Sequence, residues 1–296
     1  MNKIIYIVLL SILPFLKTYS QANIIVSNSE EFIKSLKSNS KITLKEGTYY
    51  ISTKDSTLLG LNEHYKKSNE NWWFPVLFDN LKNVEIKGLG KVKIISKDSE
   101  NYVLTFNNCI NLKIENITIG HDVKGECSGG TIRIQNSSKI ILSKLNIYGS
   151  GTIGLDIDNV NTIDVYNSKI YDCSIYSTSI YNSKNIIFKN SIFENSKLKK
   201  VMYLYDLNKI LIDNCIIRNN IGVEPITEST IILYNDEIKE GIVFKNTIIE
   251  NNTIFEEFTN DNKKIKMIKC SFKKNNFNYT NSNKRNSYKE SVIKAE

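Results

Sequence analysis

Hydrophobic and polar positions repeat along the middle of the chain at spacings of 23 to 32 residues. Each repeat has a short stretch of alternating apolar and polar residues, a polar corner and a second apolar pair. The stretches begin at Leu112, Ile140, Ile163, Ile186, Ile210, Ile242 and Ile265, and more loosely at Val84. Because the alternation has a period of two and β-branched residues dominate it, the pattern predicts short β-strands rather than helices.

Asparagine stands four positions after most of these apolar residues. The members of this column are Asn116, Asn167, Asn190, Asn214 and Asn246, with Lys144 and Lys269 as departures. Asn adopts the left-handed backbone conformation more readily than most residues, so the chain is expected to turn at this position. The amides of successive repeats are expected to bond to one another in a ladder.

A third strand precedes each repeat and carries its own inward-facing pairs. Examples are Leu104 with Phe106, Ile132 with Ile134, and Leu155 with Ile157. Three short strands per repeat predict an all-β solenoid of about nine coils, on the order of 45 Å long, in which each coil buries its inward side chains against the next.

This pattern resembles the right-handed single-stranded parallel β-helix of the pectate-lyase-like superfamily, over about residues 40–275. Coil length, the three-strand pattern and the Asn corners carry the resemblance. The motifs of β-helix polygalacturonases and the calcium ligands of pectate lyases do not align with this chain. The resemblance therefore implies the fold and leaves the activity open.

Four segments are predicted. Residues 1–20 read as a signal peptide, residues 21–40 as an N-terminal capping helix, residues 41–276 as the parallel β-helix and residues 277–296 as a basic tail. The helix is expected over 27–38, with Ser27 and Glu30 as a capping box and Phe32, Ile33 and Leu36 as its apolar face.

The leader has a positive start at Lys3, an apolar stretch and a small-x-small site before Gln21. It resembles secretory signals of Gram-negative bacteria of the Bacteroidetes type. We therefore expect a protein that is secreted, periplasmic or on the cell surface, with no transmembrane segment after cleavage. The five cysteines are odd in number and lack a CxxC pair, so buried free thiols are expected rather than disulfides or zinc.

Composition first suggests a nucleic-acid or membrane partner, because 39 Lys and Arg against 31 Asp and Glu give a net charge of +8. The distribution changes this picture. Residues 263–296 hold ten Lys or Arg and two Glu, so the basic character belongs to the last coil and the tail. No nucleic-acid partner is expected, and the protein is expected to be a monomer.

The resemblance also implies where a ligand would bind, because in this superfamily ligands often lie along the first parallel sheet under the long loops that precede it. Here that sheet corresponds to the third strand, near the long insert 120–130, so its outward positions are the candidates. Candidate catalytic residues are Arg133, Asp156, Asp158 and His121, and candidate ligand-binding residues are Gln135, Tyr181, Tyr203 and Tyr205. Aromatic rings stack on sugar faces, and Arg, Asp and Gln bond hydroxyls or uronates. An equally simple interpretation is a solvated surface on which Arg133 pairs with Asp156 of the next coil.

Several functions stay open on this evidence. The chain binds polysaccharide or cell-surface glycan, with or without cleavage as a uronate lyase or glycoside hydrolase, or it is a non-catalytic adhesion or structural rod. Two carboxylates on one strand suit acid–base hydrolysis. A lyase would use Arg133 or His121 as base, and Asp156 with Asp158 as ligands for Ca²⁺, the one cofactor considered.

Overall fold

In a computed structural model, the chain winds into a solenoid whose turns each pass through three parallel β-sheets. The structure describes residues 21–52, 57–67, 76–122, 127–222, 230–234, 238–254 and 264–277. The predicted leader 1–20 and residues 278–296 of the predicted tail lie outside them. We number the sheets in chain order within a turn, so that Leu104–Asn107 belongs to sheet 1, Ile110–Glu115 to sheet 2 and Thr118–His121 to sheet 3.

The strands of each sheet pair in parallel with those of the turns before and after. Sheet 1 contains Val76–Asp79, Leu104–Asn107, Ile132–Gln135, Ile153–Asp158, the first half of Tyr176–Lys189, Lys200–Leu207 and Thr230–Tyr234. Sheet 2 contains Ala22–Val26, Ser40–Leu44, Lys82–Gly88, Ile110–Glu115, Ser138–Ser143, Asn161–Tyr166, the second half of Tyr176–Lys189, Lys209–Asp213, Gly241–Lys245 and Ile265–Ile268.

Sheet 3 completes each turn, and two minor groups of strands flank the three sheets. Sheet 3 contains Gly47–Tyr50, Val92–Ser96, Thr118–His121, Asn146–Ser150, Lys169–Cys173, Ile192–Glu194, Ile216–Arg218, Ile248–Glu250 and Ser271–Lys273. A short fourth side of later turns contains Lys197–Leu198, Ile221–Gly222, Thr253–Ile254 and Asn276–Phe277. Tyr65–Lys67 pairs antiparallel with the first strand of sheet 1.

The number of complete turns is about seven, so the expectation of about nine coils is slightly too high. Sheet 3 does have nine strands among the described residues. The first and last rungs, however, have no described strand in sheet 1, so they do not complete a three-sided turn. The predicted all-β solenoid itself is confirmed.

Left-handed corners join sheet 2 to sheet 3, as predicted. The five Asn residues of the column have φ between 51° and 57°, and Lys144 and Lys269 share this conformation at 53° and 52°. Asn190 Nδ2 donates to Asn167 Oδ1 at 3.1 Å, and Asn214 Nδ2 donates to Asn190 Oδ1 at 2.8 Å. The predicted ladder is therefore confirmed at these three corners, whereas Asn116 and Asn246 donate to Gly88 O and Asp213 Oδ1.

The core is the inside of the stack, where equivalent side chains of successive turns contact one another. The Phe78 and Phe106 rings, one turn apart, lie 5.0 Å apart between centroids. All five cysteines are free thiols, and Cys109, Cys173 and Cys215 are buried in this core. The sequence-based preference for free thiols over disulfides is confirmed.

A helix over Ser29–Ser35 packs on the first turn, shorter than the expected span 27–38. Phe32, Ile33 and Leu36 are buried as expected. The cap is shifted by one residue from the predicted box. Asn28 is the N-cap and accepts from Glu31 N at 2.8 Å, while Glu31 Oε2 accepts from Ser27 N at 2.7 Å. No bilayer-spanning helix is found among the described residues.

Candidate functional site

Two columns of outward-facing side chains run across sheet 1. Strand pairing aligns Arg133, Asp156, Ser179 and Tyr203 in one column. It aligns Gln135, Asp158, Tyr181 and Tyr205 in the other. Because parallel strands lie about 4.8 Å apart, side chains of successive turns are within contact distance. The structure thus places seven of the eight sequence-predicted residues on one face.

Arg133 joins the polar members of this face into one cluster. Its Nη1 donates to Asp156 Oδ2 at 2.6 Å, and its Nη2 donates to Asp158 Oδ2 at 3.2 Å. Its Nε donates to Gln135 Oε1 at 2.8 Å. We call Arg133, Gln135, Asp156 and Asp158 the Arg133 cluster. Since a guanidinium has only donors and this one is held by two carboxylates, Arg133 is poorly suited to act as a base.

Asp156 is the buried carboxylate of the cluster, with 2 % of its surface exposed. Tyr102 Oη donates to its Oδ2 at 2.9 Å. Burial raises the pKa of Asp156, and the opposing effects of Arg133 and Tyr102 do not cancel this rise. Burial and the neighbouring Asp156 also hold the pKa of Tyr102 well above its usual value. Asp158 differs, because its side chain is 33 % exposed.

The cluster extends toward the first turns through amide side chains. Gln135 Nε2 donates to Asn107 Oδ1 at 3.2 Å, and Asn107 Nδ2 donates to Asp79 Oδ1 at 2.9 Å. Lys66 Nζ lies 3.5 Å from Asp79 Oδ2. This chain of polar contacts fixes the orientation of Gln135, and through it the orientation of the Arg133 guanidinium.

Four tyrosines cover the same face beyond the cluster; we call Tyr176, Tyr181, Tyr203 and Tyr205 the tyrosine cluster. The Tyr176 and Tyr203 rings are stacked, with centroids 5.1 Å apart and planes 12° apart. Tyr181 lies edge-on to Tyr203 at 5.5 Å and tilted against Tyr205 at 6.0 Å. Burial raises the pKa of Tyr181 to about 12, so its hydroxyl remains a neutral donor. Tyr205 is the most exposed of these four tyrosines, with 40 % of its surface accessible.

A cavity of about 340 Å³ lies at the start of the sheet-1 strands, beside the tyrosine cluster. Tyr102 and Tyr176 line it, with Glu100 and Lys199 as charged neighbours. Tyr102 connects the cavity to Asp156, and Tyr176 connects it to Tyr203. The Tyr102 ring packs over Gly130, where a Cβ atom would come within 2.1 Å of a ring carbon. The glycine is therefore required for the ring to lie where it does.

Sequence reasoning missed Tyr102 and Tyr176 because the period-two alternation fails at the start of sheet 1. Val103 and Leu104 are consecutive and both buried, as are Ser177 and Thr178. Extending the alternation backward from Leu104 would point Tyr102 inward, whereas it lines the cavity. A usable signal was present, since both tyrosines stand two residues before the first inward residue of their strand.

His121 lies elsewhere, at the end of a sheet-3 strand. Its Nε2 is 2.9 Å from Asn101 O, and its titration is linked to Cys127. Neither partner belongs to the Arg133 cluster. The placement therefore gives His121 no part in the chemistry of that cluster, and its role as a catalytic base stays an untested prediction.

Calcium fits the Arg133 cluster poorly. The guanidinium already lies between the two carboxylates, and Asp156 is almost fully buried. Within the described ranges, no group of three or more His, Cys, Asp or Glu side chains could hold a metal ion.

A family model supports this fold at the level of sequence. The model described as right handed beta helix region matches residues 78–238, more than half of the 296 residues. The chain belongs to this family of right-handed parallel β-helix proteins. No curated protein sequence gives a significant match.

Solved structures with a similar architecture include enzymes and an adhesin. An alginate lyase from a Paenibacillus species shares 12 % identity, with 87 % of this chain and 97 % of that chain covered and a TM-score of 0.45. A pectate lyase from a Bacillus species, in complex with trigalacturonate, shares 14 %, with 93 % and 89 % covered and a TM-score of 0.49. A Streptococcus pneumoniae surface protein and adhesin shares 13 %, with 86 % and 87 % covered and a TM-score of 0.44. The likeness is one of architecture alone.

Proposed function

We propose that the outer face of sheet 1 binds a polysaccharide chain. The observation that supports this most is the cavity between Tyr102 and Tyr176. Tyr102 bonds to Asp156 of the Arg133 cluster, and Tyr176 belongs to the tyrosine cluster. Concave sites with aromatic walls and a few fixed polar groups are typical of ligand binding.

The chemistry of the face suits sugars. A tyrosine ring offers a flat apolar surface for the C–H face of a sugar, and its hydroxyl bonds to the sugar oxygens. Asp158 is partly exposed and offers acceptors, while Lys199 offers a cation at the cavity. The parallel rungs repeat these groups at about 4.8 Å, which allows an extended polymer to contact several turns.

Tyr205→Ala tests the binding face, with Tyr50→Ala as a matched control. The two tyrosines are similarly exposed, at 40 % and 45 %, but Tyr50 lies on sheet 3. We expect Tyr205→Ala to weaken binding about twofold to tenfold, since a stacked aromatic contact contributes about 0.5–1.5 kcal/mol. The measurement is affinity electrophoresis of the leaderless chain in gels containing neutral or uronate polysaccharides.

Binding that Tyr50→Ala and Tyr205→Ala weaken equally would contradict the assignment to sheet 1. So would a wild-type chain that migrates alike in every polymer gel. In that case the rod-like adhesion module becomes the better description of the protein.

Cleavage of the bound polymer is a second candidate function. It is favoured by the contrast within the carboxylate pair: Asp156 is buried with a raised pKa, and Asp158 is partly exposed. Environments that separate two carboxylates in this way suit an acid and its partner base. In this proposal Asp158 reaches the substrate, and Tyr102 lies between Asp156 and the cavity.

The cleavage proposal predicts that Asp158→Asn lowers turnover by at least about 100-fold, because general acid–base groups contribute about that much. Binding in the gel assay should change far less. Release of reducing ends and of unsaturated products measures hydrolysis and elimination separately. Binding by the wild type with no product of either kind would leave a non-catalytic glycan-binding module.

A further inference from the structure

A second cavity, of about 460 Å³, lies at the corner where the chain passes from sheet 1 to sheet 2. We call it the corner groove. Its two walls are columns of polar side chains from three successive turns. Asn159, Asn182 and Asp206 form the wall at the end of sheet 1, and Asn161, Lys184 and Asn208 form the wall at the start of sheet 2.

The groove results from the way the chain turns at this corner. Asn159 and Asn182 have left-handed φ angles of 53° and 47°, and the residue that follows each of them points inward. The residues between the two walls are therefore buried and form the floor of the groove; they are Val160, Ser183 and Leu207. Because three turns repeat the order outward, inward, outward, a polar channel runs along the solenoid axis.

A longer corner in the next turn bounds one end of the groove. Leu204 and Ile210 are six positions apart, whereas their strand partners Tyr234 and Ile242 are eight positions apart. The longer corner brings Lys239 to the preceding turn, where its backbone N–H donates to Leu207 O at 2.9 Å. Lys239 lines the groove, so the extra length of this corner shapes the cavity.

The corner groove adjoins the face that is proposed to bind polysaccharide. Asn182 directly follows Tyr181 of the tyrosine cluster. Its Nδ2 donates to Asp158 Oδ1 at 3.5 Å, so the groove also reaches the Arg133 cluster. Asp158 is the carboxylate through which that cluster meets the substrate in the proposal above. A polymer that contacts Asp158 and continues in the strand direction therefore reaches the groove next.

The side chains of the groove suit hydroxyl groups. A side-chain amide has both donors and an acceptor, so one amide can bond two neighbouring hydroxyls. Asn159 Nδ2 donates to Asn136 Oδ1 at 2.8 Å, which holds this amide in place on its wall. Lys184 and Lys239 add ammonium donors, and Asp206 adds a carboxylate. The cavity volume is within the range of about 300–1,000 Å³ that is usual for sites of small ligands.

We infer that the corner groove is a subsite of the polysaccharide face and binds the hydroxyl groups of the sugar unit that follows the unit at Asp158. This subsite rests on the glycan binding proposed above and adds selectivity to it. A tyrosine ring contacts the apolar face that many sugars share, whereas a fixed amide selects for a hydroxyl at one position. The groove therefore contributes to the choice of sugar as well as to affinity.

Asn182→Gly tests the subsite, with Asn108→Gly as a matched control. Both asparagines are exposed, occupy the same corner column and have left-handed φ, at 47° and 53°. Glycine removes the amide and keeps this backbone conformation. The measurement is affinity electrophoresis of the leaderless chain in gels of galactomannan and of polygalacturonate. In a gel that retards the wild type, Asn182→Gly should weaken binding about twofold to tenfold, the usual contribution of a hydrogen bond, and Asn108→Gly should leave it unchanged.

Lys184→Ala repeats the test on the opposite wall, at a residue with ordinary backbone conformation. Lys82→Ala is its control, because Lys82 is also exposed and lies in the same column four turns earlier. We again expect binding to weaken about twofold to tenfold in the groove variant and not in the control. Circular dichroism checks that the variants are folded; if Asn182→Gly is not, the lysine pair decides.

The outcomes separate the subsite from the binding face. If the wild type is retarded and Tyr205→Ala weakens binding, but each groove variant behaves like its control, the subsite is overturned and the face is retained. A wild type that migrates alike in every gel overturns the polysaccharide face, and the subsite with it.

Discussion

Single residues at the sheet-2 corner show how much the solenoid depends on backbone conformation. Asn190 has φ of 53°, donates to Asn167 and accepts from Asn214, so it combines a left-handed backbone with two ladder bonds. Lys144 occupies the same corner two turns earlier in the column, with φ of 53° but without an amide. A β-carbon in this region costs roughly 1 kcal/mol, and Asn compensates for part of it with its short polar side chain. Lys144 is therefore a corner at which the residue type is less favourable than the Asn of the other repeats.

Exchanging these residue types should change stability in opposite directions. We expect Lys144→Asn to increase the free energy of unfolding by about 0.5–1 kcal/mol, since Lys144 has only an exposed contact with Glu115 to lose. Asn190→Lys should decrease it by about 1–2 kcal/mol through two lost hydrogen bonds and added strain. Urea unfolding with an unchanged m value measures both. Equal destabilisation by the two variants would show that the corner conformation does not select for Asn.

At the scale of strands, the sequence predicts the features that recur in every turn but not those that occur in a single turn. Alternation predicted the inward residues of sheets 1 and 2, because burial on one face imposes a period of two. It missed Tyr102 and Tyr176, because consecutive buried residues at the entry to sheet 1 break that period. The helix cap moved from Ser27 to Asn28 for a similar local reason, since both residues are good caps and Glu31 rather than Glu30 reaches back.

The contacts of charged residues on strands are likewise only partly predictable from the repeat. In sheet 3, Glu194 is 4 % exposed and bonds to Lys169 and Arg218 from the turns on either side. Burial would raise the pKa of Glu194, but the two cations lower it overall. The Arg133 cluster has the reverse arrangement, with one cation between two carboxylates. The pairing of Arg133 with the next turn could be foreseen from the strand register. The contact of Asp156 with Tyr102 could not, because strict alternation points Tyr102 inward.

For the whole molecule, stability comes from contacts between successive turns along the solenoid axis. Each turn contacts only its neighbours. An interior turn is covered on both sides and the first turn is covered by the helix, whereas the last described rung has a described neighbour on one side only. Ile157 and Phe188 are fully buried inside the stack, whereas Ile265, Met267 and Phe272 of the last described rung are only partly buried. The interaction surface proposed on sheet 1 lies over the interior turns. The folded stack should therefore hold the Arg133 and tyrosine clusters rigid while its last rungs open.

Hydrogen exchange should reveal this gradient, with amides of Ile265–Phe277 exchanging earlier than those of turns between Leu104 and Arg218. Phe272→Ala should accelerate exchange in the last rungs and leave the interior unchanged, because its loss removes contacts from one neighbouring turn only. Phe188→Ala should instead cost about 3–5 kcal/mol and lower protection on both sides of its turn, as expected for a large cavity in a closed core. Peptide-resolved mass spectrometry measures both patterns. If Phe272→Ala lowered protection uniformly from Leu104 onward, the stack would unfold as one cooperative unit, and the rigidity of the sheet-1 face would depend on its ends.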